Sequence, residues 1–148
     1  MSYYLLDLLL FFLINIANSL ISIIFILRVK KPGVEPIFGI LYNALGIPLL
    51  MLIIFNIYFQ REWWFWLFPL LFLTFIIFDV IVDYIKKTEF RNPRNYGILI
   101  PFLTLYYVSI ILMWGLTWTL GLIYGLITGI TYFLQLGCSI YASKHGVG

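Results

Sequence analysis

From Gly97 to Ser143 the chain runs for 47 residues without one charged side chain. As a single helix this stretch would be ~70 Å long, more than twice the ~30 Å of hydrocarbon in a bilayer. It has to fold back. The turn is expected in WGLTWTLG, residues 114–121, where two glycines and two tryptophans interrupt the aliphatic run. Three earlier segments are long enough to cross: residues 5–27, ending at the charged loop RVKKPGVEP; 37–59, ending at QRE; and 63–85, ending at KKTEFRNPRN. With 97–116 and 119–143 the count is five.

Composition says where these helices go. The 148 residues are 64% hydrophobic and only 10% charged, whereas a soluble domain carries roughly 25% charged residues. One small core cannot hide that much apolar surface, so the rest is expected to face lipid. The expectation is an all-α membrane protein, a five-transmembrane-helix bundle forming one integral membrane domain over residues 1–148. It would be multi-pass in a cell membrane, plasma or inner membrane. The first segment has no basic n-region and carries Asp7, so it reads as a retained span rather than a cleaved signal.

The charges set an orientation. Five spans put Arg28, Lys30, Lys31, Lys86, Lys87, Arg91, Arg94 and Lys144 on one side, leaving Arg61 on the other beside Glu62. Basic loops stay in the cytoplasm, which predicts the N-terminus outside and the C-terminus cytoplasmic. All five tryptophans then fall at the outer interface, where indoles prefer to lie. Pro36 and Pro101 sit near helix starts, where a missing N–H costs little, and Pro48 and Pro69 lie deeper and are expected to kink their helices.

Depth can be read as well as span. Asp79, seven residues before Lys86, and Asn43, seven past Pro36, each lie ~10 Å from a basic loop, and Thr104 lies as deep. Ser22 and Asn18 lie ~9 and ~15 Å before Arg28, and Gln135 ~13 Å before Lys144. Every span thus offers a polar side chain at a similar level, and polar groups in hydrocarbon should face one another. Asp83 stands near Lys86 and Lys87 and is expected to pair with them. Asp79, one turn deeper, has no basic neighbour within a turn of its own helix.

These residues predict a pocket in the inner leaflet, lined by Asp79, Asn43, Asn18, Ser22, Thr104 and Gln135. Arg28, Lys30, Lys31, Arg91 and Arg94 at its mouth would attract an anionic head group while apolar helices hold the tail. The protein would then bind or move a small amphipathic or lipid-like ligand. Two other readings fit the same sequence: an accessory or assembly subunit of a larger membrane complex, and a dimeric proton-coupled carrier with Asp79 as the titrating group. Gly121, Gly125 and Gly129 repeat every four residues, the spacing by which membrane helices pack closely, either within the monomer against the fourth span or in a homodimer.

Catalytic residues, metal and cofactor are all expected to be absent. Cys138 and His145 are single and lie apart from any partner for nucleophilic, zinc or haem chemistry. Carboxylates and amides at the inner face would suit magnesium or calcium at most. Nucleic acid is not an expected partner.

Two family resemblances are local. The D-x-x-x-D of Asp79 and Asp83 resembles one aspartate motif of the UbiA prenyltransferases, where carboxylates hold magnesium and diphosphate. The chain has no second Asp-rich motif and is far shorter, so such a site would need a dimer. Length, five spans, many tryptophans and the loop KPGVEPIFGILY are similar to the tryptophan-rich sensory, or translocator, proteins. Val34 and Glu35 stand where that family's loop is aromatic and proline-rich, and no binding residue carries over.

Overall fold

The computed structural model describes residues 3–86 and 95–147. They form helices throughout, with no strand among the described residues: α1 (Tyr4–Lys30), α2 (Glu35–Ala44), α3 (Gly46–Tyr58), α4 (Trp64–Asp79), α5 (Tyr96–Thr117) and α6 (Leu122–Lys144). A π-helical turn, Val80–Ile85, continues α4. Taken as continuous rods, Tyr4–Lys30, Glu35–Tyr58, Trp64–Ile85, Tyr96–Thr117 and Leu122–Lys144 are five helices long and apolar enough to cross a membrane.

Proline accounts for one of the breaks. Pro48 has no N–H for the Ala44 carbonyl and its ring crowds that group, so the second rod parts at Leu45 between α2 and α3. The kink expected near Pro48 is therefore a one-residue interruption, whereas α4 is unbroken through Pro69. Pro36 sits in the first turn of α2, where no intrahelical partner is lost. The π turn has no proline to signal it. The Lys86 amide donates to the Ile81 carbonyl, five residues back, at 2.8 Å.

The helix α1 stands near the centre of the bundle, touching α2, α3, α5 and α6, and α4 bridges α3 and α5. The most extensive contact is between α1 and α6. Hydrogen bonds set its register. Asn15 Nδ2 donates to Thr128 Oγ1 at 3.0 Å and Asn18 Nδ2 to Thr131 Oγ1 at 3.1 Å, an offset of 113 residues in both cases. Thr131 Oγ1 returns a bond to Asn15 Oδ1 at 2.8 Å. Because the partners advance together, α1 and α6 are parallel, as the first and fifth of five rods that reverse at each loop must be.

Consecutive helices α5 and α6 touch much less. The reason lies in the glycines. A Cβ on Gly125 would fall inside the Trp118 indole, and one on Gly129 would come within 2.9 Å of Trp114 Cζ2. Trp114 is held there: its Nε1 donates to the Gly125 carbonyl at 2.8 Å and its ring stacks on Tyr132. Gly125 and Gly129 thus admit indole rings rather than a neighbouring backbone, and the rings act as spacers between α5 and α6. Gly121 has a different task. Its φ of +136° closes the turn after Trp118, a conformation available to glycine.

At the same end of the bundle the loop between α3 and α4 is tied down by charge. Arg61 Nη1 donates to Asp7 Oδ1 at 2.6 Å and to Asn56 Oδ1 at 3.1 Å. Its guanidinium lies over Phe65, 3.6 Å from the ring centre, and over Tyr3 at 4.9 Å. The Arg61 side chain is only 7% exposed. The cation that sequence set beside Glu62 is instead one half of an ion pair that fastens the start of α1 to the loop before α4.

Candidate functional site

A cavity of about 420 Å³ opens at the bundle end that carries the basic loops, among α1, α4, α5 and α6. Its walls are mostly apolar: Ile21 and Ile24 from α1, Phe75 from α4, and Leu99, Phe102 and Leu103 from α5. Tyr106 closes its deep side, packed against Phe75 with ring centres 4.9 Å apart. Ile100 and Leu103 belong both to the wall and to the exposed outer surface of α5, so the cavity opens sideways as well as endways.

Polar groups gather at one end. Arg28 from α1, Asp79 from α4, and Ser139 and Ser143 from α6 share the wall there. Arg28 is oriented by Glu35, whose Oε1 accepts from its Nε at 2.8 Å. Its guanidinium also lies 5.7 Å from the Phe25 ring. Asp79 is half-buried and stands at the junction of α4 with the π turn. Such turns recur at functional sites because they re-aim the side chains around them.

The residues singled out by depth divide. Asp79 and Arg28 are in the cavity wall. Asn18 and Gln135 are fully buried at the level expected, but behind the wall rather than in it. Asn18 is committed to Thr131, and the Ser22 hydroxyl is spent on the Asn18 carbonyl at 2.8 Å. Asn43 is half-buried on α2, away from the cavity, with its side-chain oxygen buried and unpaired. Thr104 is on the exposed face of α5 and does not join the others. Lys31 is exposed just past the end of α1. Arg91 and Arg94 lie outside the described residues, as does Lys87, one of the two expected partners of Asp83. Among the described residues no three His, Cys, Asp or Glu side chains group to hold a metal ion.

Two residues were missed by reading polarity alone. Tyr42 and Tyr106 are 2% and 4% exposed, and neither buried hydroxyl has a hydrogen-bond partner. They occupy the level assigned to Asn43 and Thr104, one and two residues away. The signal was present, since a tyrosine in a span brings a hydroxyl that must be accommodated. Gln135 faces the Tyr106 hydroxyl without completing a bond to it, and neither its amide nitrogen nor its oxygen has a partner. Unpaired buried polar atoms cost about 1–3 kcal/mol each. Gln135→Met, which keeps the volume and removes both, is therefore expected to raise the melting temperature of the purified protein; a lowered one would show that Gln135 has a partner in solution.

Comparison with protein-family models, with curated proteins and with solved structures gave no match to this chain.

Proposed function

We propose that this is a multi-pass membrane protein, with its basic loops in the cytoplasm, that binds a small amphipathic ligand in the cavity between α1, α4, α5 and α6. The observation that carries the reading is the cavity's polarity. Most of its wall is apolar, and its charged groups, Arg28 and Asp79, share it with Ser139 and Ser143 toward the end of the basic loops. A ligand with a greasy body and one polar head matches that division. Specific sites of about 300–1,000 Å³ typically pair apolar walls with a few placed polar groups. The sideways opening past Ile100 and Leu103 gives such a ligand entry from the inner leaflet, without passing through water. No catalytic residue is assigned.

Native mass spectrometry after purification in mild detergent tests it. Wild-type protein is expected to retain a small bound mass, and Leu99→Trp, which fills the cavity, to lose it while melting at an unchanged temperature. A stoichiometric protein partner, retained equally by wild type and variant with no small mass in either, would favour the accessory-subunit reading instead.

A further inference from the structure

Hydroxyl groups buried in helices usually bond back to a carbonyl three or four residues earlier. In this bundle Ser19, Ser22, Thr74, Ser109, Thr117 and Thr128 all do so, at 2.7–3.0 Å. Half-buried Ser139 and exposed Ser143 do not, and neither does exposed Thr104, which lies outside the cavity wall. Among the described residues neither serine hydroxyl makes a hydrogen bond, and both stand in the cavity wall, one turn apart on α6.

The register of α1 on α6 puts them beside Arg28. Continuing the offset of 113 residues set by Asn15 with Thr128 and Asn18 with Thr131 brings Arg28 level with Tyr141, midway between the two serines. Glu35 occupies the Nε side of the guanidinium, and among the described residues its two terminal amino groups have no hydrogen-bond partner. The polar end of the cavity therefore presents the amino fork of an arginine from one helix and two hydroxyls from the next. Asp79 shares this end of the wall from α4, which makes no extensive contact with α6.

Resting on the ligand-binding reading above, we infer that Arg28, Ser139 and Ser143 form a site for the phosphate of a single-chain phosphomonoester amphiphile. Acceptor geometry selects the head group. A carboxylate held by the arginine fork has its remaining lone pairs in the plane of that fork, away from hydroxyls above or below it. A phosphate has three strongly accepting oxygens in a tetrahedral arrangement, so it can satisfy the fork and still accept from hydroxyls out of that plane. The volume argues for one chain. At about 420 Å³ the cavity is near the lower end of the range for small-molecule sites.

The test uses the full-length protein in phosphatidylcholine nanodiscs, with empty nanodiscs as the baseline. The probes are dodecyl phosphate, dodecanoate, dodecanol and inorganic phosphate. Dodecyl phosphate is expected to bind at least about tenfold more tightly than dodecanoate, and dodecanoate more tightly than dodecanol. The double variant S139A/S143A should bring dodecyl phosphate to the level of dodecanoate. Arg28→Gln should remove the preference for either anion. Equal binding of dodecyl phosphate and dodecanoate, or a preference that survives the double variant, overturns the inference. So does dodecanol binding as tightly as dodecyl phosphate, although the cavity would then still hold an amphiphile. Inorganic phosphate binding as tightly as dodecyl phosphate would remove the chain from the proposal. If none of the three chains binds above the empty nanodisc, the ligand-binding reading fails and this inference fails with it.

Discussion

Replacing Arg61 with alanine is expected to cost about 3–5 kcal/mol of stability, the range for breaking a buried ion pair by removing one partner. The side chain is 7% exposed, bonds both Asp7 and Asn56, and lies face-on to Phe65. Its loss strands the Asp7 carboxylate at the start of α1 and frees the loop that joins α3 to α4. Asp7→Asn should cost less, because the amide oxygen still accepts from Arg61 and the cation keeps Asn56 and two aromatic rings. Paired substitution to D7N/R61M is expected to recover part of the deficit, since an apolar replacement leaves no uncompensated charge. Denaturation of the detergent-solubilised protein reads all three. An Arg61→Ala variant within about 0.5 kcal/mol of wild type, the spread of ordinary surface substitutions, would mean the pair is solvated and inert.

Gly129→Val is the second large effect, about 3 kcal/mol of destabilisation, the upper end for overpacking a filled site. Even the first added carbon would meet Trp114 at 2.9 Å. That indole cannot yield, being pinned by its bond to the Gly125 carbonyl and by its stack on Tyr132. Gly125→Ala is the informative contrast. Its methyl would overlap Trp118 still more severely, but Trp118 is 44% exposed and can swing outward. Alanine also recovers about 1 kcal/mol of helix propensity over glycine, so the net change should be close to zero. Thermal melts of the two variants check the order; equal losses would show that the two rings are held alike.

The same glycines show what a membrane sequence states plainly and what it conceals. Span number was legible because hydrocarbon thickness imposes a length, and 97–143 could not satisfy it without doubling back. Position along each rod was legible because each residue advances ~1.5 Å along its helix. Direction was not. Lipid is as apolar as the bundle interior, so no stripe of hydrophobic residues marks the inward face. In α4 and α5 apolar residues surround the helix on all sides. Thr104 was therefore given the wrong face, while Tyr106, two residues on, points inward. Glycine spacing likewise announced a close contact but not its occupant, a pair of indoles. The π turn after Asp79 is a property of the backbone alone, with no proline or glycine to betray it.

The parallel run of α1 and α6 governs how the chain can be re-engineered. In many domains the two ends of the polypeptide lie close together, which is why circular permutation succeeds so often. Here Tyr4 and Lys144 are at opposite ends of neighbouring rods, separated by about 35 Å at the rise of a 23-residue helix. A short glycine–serine bridge cannot join them. The splice would have to be a sixth apolar helix, antiparallel to both, and new ends would be tolerated only at a loop on one face or the other.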